Sequence, residues 1–244
     1  MDFLVSPRYS SHLSLLKRQS YLGTVSAWPT WKPQETAPMT PWSPFEETLH
    51  HEAMELPSYD HIVHLGYRAW PDRPLPLCIY EQTKREYPNV PVASLDLERA
   101  WIEVQPSESG EGIYAVGFSD EWFELKVGIY ELLKLQGMIG QWVGGASRWN
   151  QEAHRPQISW EAAASILSAT KVFLGCNSAL HVLACSVGAR VVMLEPNHHR
   201  YNDVFFPYGK TGRVHLVLGG DGQPTFDARH CADALKKALA EVSA

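Results

Sequence analysis

The sequence predicts an α/β protein in which a parallel β-sheet is wrapped on both faces by helices. From residue 113 onward, short apolar runs rich in Val, Ile, Leu and Phe alternate with longer stretches of helical apolar period. Gly, Asn, Ser and Pro cluster where each run ends, as strand-to-helix turns require. The chain has 244 residues, 45% of them apolar and 20% charged, so it can bury one large core or two small ones.

The elements follow in order. Phe3-Leu4-Val5, the polar residues Ser6 to Ser11 and the apolar spacing of Leu13, Leu15 and Leu16 predict strand, loop and helix. Residues 28–76 carry nine of the seventeen prolines and four of the nine tryptophans. Proline breaks helices and central strands, while tryptophan argues against plain disorder, so an ordered, loop-rich segment is expected there. Tyr59 to Gly66 reads as a buried strand and Leu75 to Tyr87 as a helix stopped by Pro88. The polar run 105–112 is the expected linker between a domain of residues 1–104 and one of residues 113–244.

Beyond the linker the pattern predicts strand Ile113 to Phe118, helix Trp122 to Leu135, strand Met138 to Val143 and helix Trp160 to Ser168. Strand Val172 to Leu174, helix Ser178 to Val187, strands Arg190 to Leu194 and Val214 to Leu218, and helix Asp227 to Val242 complete it. Consecutive strands separated by helices must run parallel.

Charge and cysteine usage narrow the function. A formal charge of −6 argues against a protein that coats itself with nucleic acid. Residues 1–110 hold 9 Lys+Arg against 14 Asp+Glu and residues 111–244 hold 12 against 13, so an anionic ligand is easier to hold in the later part. Cys78, Cys176, Cys185 and Cys231 lack CxxC spacing and sit among apolar residues, which makes them small buried hydrophobes of a reducing compartment. Apolar runs stay below the roughly 18 residues of a membrane span, and Pro7 and Arg8 interrupt any signal-peptide core. A cytoplasmic location is the expectation; the oligomeric state is left open.

Parallel sheets bind ligands beyond the carboxyl ends of their strands. Four segments are expected there: Ser119-Asp120-Glu121, Gly144 to Arg148, Gly175-Cys176-Asn177-Ser178 and Glu195 to Arg200. Gly175 permits a sharp turn, Asn177 and Ser178 are N-cap residue types, and the next helix opens with Ala179. Its free N–H groups and positive dipole end suit a diphosphate, to which His181 in the first turn can add a donor. The competing reading makes Asn177 only a cap and His181 a packing residue.

Ala169 to Val192, within 158–196, resembles the donor-binding segment of heptosyltransferase-like glycosyltransferases, family 9 of the GT-B fold. That family shows a strand, Gly-Asn-Asp-Ser-Gly, a His, a Leu/Ala-rich helix and Gly-x-Pro-Val-Val. Here Asn177 replaces its Asp and Ala179 its Gly, and His181 comes one residue early. The resemblance implies two Rossmann-like parallel-sheet domains, the N-terminal one shortened and loop-rich, and a cofactor-free, metal-independent transferase. A nucleotide diphosphate sugar would be its donor substrate and a hydroxyl compound its acceptor. By the same resemblance Ser119, Lys126, Asn177, Ser178, Ala179 and His181 would bind the donor diphosphate. A solvated helix lysine is the plain alternative for Lys126.

Glu195 and Arg148 are candidates for sugar or ribose hydroxyls. The family's N-terminal Gly-Asp, which carries the general base, is missing; His12 and Asp72 are the candidate bases in its place. No HxxxH or HExxH pattern links His154, His198, His199, His215 and His230, so no metal is expected. Two other functions stay open. One is a nucleotide-sugar or phosphate-binding module that has lost its base; the other is transfer to a hydroxymethylated pyrimidine in DNA, with saccharide acceptors as the ordinary case.

Overall fold

The computed structural model describes residues 3–5, 7–27, 75–96, 99–107, 112–118, 123–145, 158–176, 178–195, 214–219 and 226–243. Strand β1 (Phe3–Val5) leads through a 3-10 helix (Pro7–His12) into the short helix α1 (Leu13–Leu16) and then strand β2 (Val25–Ala27). Helix α2 spans Leu75–Glu86. There follow β3 (Tyr114–Phe118), α3 (Phe123–Leu135), β4 (Gly140–Gly145), α4 (Trp160–Thr170) and β5 (Val172–Gly175). The described chain closes with α5 (Ala179–Ser186), β6 (Arg190–Glu195), β7 (Val214–Leu218) and α6 (Ala228–Ser243).

Five strands form one parallel sheet in the order β4-β3-β5-β6-β7. Since β4 and β5 flank β3 on opposite sides, the chain passes over β3 between them, and the helices split between two faces. Tyr114, Val116, Phe118, Val172, Leu174, Val192 and Leu194 point to the face covered by α3 and α6. Ala115, Phe173, Val191 and Met193 point to the face covered by α4 and α5. Every position of β3 and β5 is buried, as a sheet covered on both faces demands. The fold is thus a doubly wound, Rossmann-like α/β sheet with its order switching between β3 and β5.

Element by element, the expected strands and helices from 113 onward are present with ends displaced by one or two residues. One two-residue displacement, β4 beginning at Gly140 rather than Met138, has a local cause. Gly137 adopts φ +80° and Met138 donates its N–H to the Leu133 carbonyl at 3.1 Å, so this stretch still closes α3. Strand β2 was not expected. It pairs in parallel with β1, Phe3 opposite Val25, and its three residues are too few for their alternation to announce a strand. The expected strand over 59–66 and the Pro/Trp-rich segment lie outside the described residues.

The early part of the chain is fastened to the α4/α5 face. Leu15 and Ile102 join the core on that side, and Trp101 and Ile102 donate their N–H groups to the Ser186 carbonyl. Gln19 is buried and bonds Glu103 through both ends of its amide. Arg18 meets Glu161 at 2.7 Å. Within the expected linker, Ser107 donates to the Ser165 carbonyl and the Ser165 hydroxyl donates to the Gln105 carbonyl.

Among the described residues no helix is long and apolar enough to cross a membrane. Cys176, Cys185 and Cys231 are buried and form no disulfide, as their apolar neighbours implied.

Candidate functional site

The order of the sheet singles out one place. Helices α3 and α5 leave adjacent strands β3 and β5 on opposite faces, so a crevice opens between their N-termini at the carboxyl ends of those strands.

Three glycines stand abreast there. Gly117 of β3 is in register with Gly144 of β4 on one side and Gly175 of β5 on the other. A Cβ at Gly117 would lie 2.6 Å from the Gly144 carbonyl oxygen and 2.9 Å from the Leu180 Cδ1 methyl. At Gly175 it would lie 2.2 Å from the Phe173 ring. Only hydrogen fits at either position, and the first turn of α5, carrying Leu180, therefore rests directly on the strand ends. His181, the next residue, is pressed into the interior and has no exposed surface.

Ser178 occupies the N-cap of α5 with extended backbone, as its residue type predicted. Its hydroxyl nevertheless makes no cap hydrogen bond, and its Oγ is buried with no hydrogen-bond partner among the described residues. The N–H groups of the first helical turn have no acceptor within the helix. The unpartnered Ser178 hydroxyl and the N-terminus of α5 thus lie at the same end of the sheet.

Burial pushes the His181 imidazole down to about 4, because the charged form would lose its hydration. At neutral pH the ring is uncharged and offers one N–H donor and one acceptor. Across the crevice, Lys126 is the fourth residue of α3 and is wholly buried. Helical side chains lean toward the N-terminus, which carries its ammonium toward the same strand ends. There the Nζ lies 5.7 Å from the centre of the Phe226 ring, just ahead of α6. The solvated-lysine alternative is thereby excluded. Glu195 ends β6 and is buried at 9% exposure.

Among the described residues, Lys126, His181 and Glu195 are the buried members of the Asp, Glu, Lys, Arg and His set, and all three stand at the carboxyl end of the sheet. Burying such groups costs several kcal/mol unless partners compensate, and the three gather at one edge of the sheet.

His12 reaches the same end from the α4 side. It closes the 3-10 helix after β1 and stacks on Trp160, the first residue of α4, with ring centres 4.4 Å apart and planes at 25°. Ser159 caps that helix by accepting from the Ala162 N–H. Of the other residues singled out from sequence, Ala179 is the first residue of α5, while Asp72, Ser119, Arg148 and Asn177 lie outside the described residues. Sequence reasoning named Gly144 only as the start of a loop and passed over Gly117, Trp160 and Phe226. The available signal was a glycine at or next to the last residue of three successive strands.

Among the described residues no three of His, Cys, Asp and Glu are grouped to hold a metal. His215 instead bonds Glu241 at 2.9 Å, at the opposite end of the sheet. The arrangement at the carboxyl end is one of donors: an ammonium, a neutral imidazole, a hydroxyl and helix N–H groups, with the Glu195 carboxylate as an acceptor for hydroxyls. Fold and side chains together define a doubly wound, Rossmann-like α/β sheet with Lys126, His181, Ser178 and Glu195 gathered at its carboxyl end. Comparison with protein-family models, curated proteins and solved structures finds no match.

Proposed function

We propose that this protein is a glycosyltransferase that takes a sugar from a nucleotide diphosphate sugar and transfers it to a hydroxyl acceptor, in a GT-B-like arrangement with residues 1–104 on the acceptor side. The observation that carries the reading is the burial of Lys126 and His181 on either side of the β3/β5 switch point, together with the unused Ser178 hydroxyl. In sugar transfer from such a donor, negative charge grows on the leaving diphosphate. Fixed donors in a water-poor site stabilise that charge most where it develops.

In this mechanism α5 and Ser178 hold one phosphate, His181 donates its neutral N–H to it, and Lys126 supplies the positive charge from the opposite face. Asn177 and Ser119 extend the cradle by position in the sequence. Glu195 accepts hydrogen bonds from sugar or ribose hydroxyls, with Arg148 as a second candidate. His12 is the candidate base that removes the acceptor proton, held by its stacking on Trp160. Asp72 is the other candidate base. No cofactor or metal takes part; the nucleotide sugar is a substrate.

The test is calorimetric titration with uridine, guanosine, adenosine and thymidine diphosphates, beside thermal melts at rising ligand concentration. At least one should bind and raise the melting temperature, by about 2.7 kcal/mol of added stability at a hundred times its Kd. His181→Ala should weaken that ligand on the order of tenfold to a hundredfold, the value of a charge-assisted hydrogen bond. No binding by any of the four, or unchanged affinity in His181→Ala, would sink the reading. Binding of the donor sugar with neither hydrolysis nor transfer to any hydroxyl acceptor points to the base-less binding module instead. A salt-dependent gel shift on hydroxymethylated DNA would move the acceptor from a saccharide to a base.

A further inference from the structure

We propose that the outer face of α3 is the surface through which two copies of this chain associate, about a two-fold axis that runs along the helix. Helix α3 carries an apolar stripe besides the one it buries against the sheet. Leu125, Leu132 and Leu135 are exposed, Leu135 at 84%. With Gly128 they follow one another at intervals of three, four and three residues. At 3.6 residues per turn this spacing draws one line along the helix, the seam by which two helices pack. A Cβ at Gly128 would meet nothing within 4 Å, so packing inside the chain does not call for a glycine there. Glycine weakens a helix interior; what it permits is the close approach of another helix.

The charges beside the stripe select the partner. Glu124 and Glu131 are exposed toward the flank on which Phe123 and Tyr130 meet Trp142 of β4. Glu131 also meets Lys134 of its own helix at 3.5 Å, with both side chains half exposed. The opposite flank of the stripe adjoins α6. Glu241 of α6 turns to His215 of β7, and by helical period Arg229 and Lys236 then lie exposed on the side toward α3. A stripe bordered by acid on one side and base on the other complements itself under a two-fold axis laid along it. Leucine meets leucine, and each acidic flank meets the basic flank of the other copy. The spacing agrees, since Glu124 and Glu131 are seven residues apart, as are Arg229 and Lys236, and both helices lead away from the carboxyl end of the sheet. An axis across the helix would instead set Glu124 against Glu131.

Sedimentation velocity of the full chain over a rising concentration series tests the proposal. Wild type should dimerise with a Kd below about 100 μM. Leu132→Glu and Leu135→Glu should each weaken the dimer about a hundredfold or more. Their thermal melts should match wild type at dilutions where all are monomers, because both positions are exposed. Gly128→Gln should weaken the dimer as well, although its side chain meets open space within one chain. Reversing the acids (Glu124→Lys with Glu131→Lys) should cost roughly tenfold to a hundredfold in affinity, and so should reversing the bases (Arg229→Glu with Lys236→Glu). All four reversals together restore each match and should recover the dimer.

A wild type that stays monomeric at that concentration overturns the proposal. So does a dimer indifferent to Leu132→Glu and Leu135→Glu, which must use another face. Failure of the fourfold reversal to recover what each pair loses overturns it too.

Discussion

The two ends of the central sheet differ in how deeply they bury charged groups. At the amino end tyrosine, histidine, arginine and glutamate side chains meet one another or the backbone, although the Gln141 Oε1 is buried with no hydrogen-bond partner among the described residues. Tyr114 donates its hydroxyl to the Met138 carbonyl, and Tyr130 donates to the Gly140 carbonyl. Glu241 near the end of α6 takes His215 at 2.9 Å and Arg190 at 3.6 Å, all three partly open to water. At the carboxyl end a lysine, a histidine and a glutamate are buried, and a serine hydroxyl is left unused. The first end holds its charged groups partly in water, where pairing brings small electrostatic gain; the second takes its charged and titratable groups out of water.

The sharpest way to break that contrast is pH. His181 titrates at about 4 in the folded protein against an ordinary 6.5, so between those values the unfolded chain binds more protons and stability rises with pH. Going from pH 7 to pH 4 should therefore remove about 3 kcal/mol through this one group. Urea unfolding at pH 7 and pH 4.5 should show a smaller acid loss in His181→Gln than in wild type. Equal losses would place the ring in a wetter setting than its burial implies.

Next in size is Gly117→Ala. The added methyl meets a backbone carbonyl at 2.6 Å and the Leu180 side chain at 2.9 Å, so α5 must lift from the strand ends. A loss of roughly 1–3 kcal/mol is expected, as for other overpacked core positions. Nucleotide binding should fall as well, since the lifted turn carries Ser178 and His181. Stability lost with binding intact would separate the glycine row from the site.

The smallest effect belongs to the amino end. The Glu241 carboxyl is held below its ordinary range, first by its hydrogen bond to His215 and then by the nearby charges of His215, Arg190 and Lys237. Its contribution is present above the ordinary carboxylate range and fades as pH falls through the lowered value. Glu241→Gln should cost only about 0.2–1 kcal/mol, shrink further in high salt and leave nucleotide affinity unchanged. A change in affinity would mean that the two ends are coupled.

Much of the sheet could be read without coordinates, because β3 and β5 are apolar throughout, β6 is apolar between Arg190 and Glu195, and each helix from α3 onward repeats its apolar residues at helical spacing. Ser178 was recognisable as a cap and His181 as a first-turn residue for the same local reason. Lys126 was legible only as a choice between a ligand-facing and a solvated side chain, since nothing local distinguishes them. Trp160 and Phe226 gave no signal, because each matters through a partner more than ninety residues away.

What the sequence determined by itself was the run of elements and their parallel sense, which follow from short-range periodicity, turn residues and the need for a crossover between parallel strands. The tertiary structure decided the strand order, and with it which ends meet. Only the placing of β3 between β4 and β5 puts Gly117 beside Gly144 and Gly175 and lets α5 settle on the strand ends. The same order turns α3 and α5 to opposite faces, so that Lys126 and His181 flank one crevice. Burial is a property of what packs over a residue, and pairing across a sheet leaves no trace in the spacing along one strand.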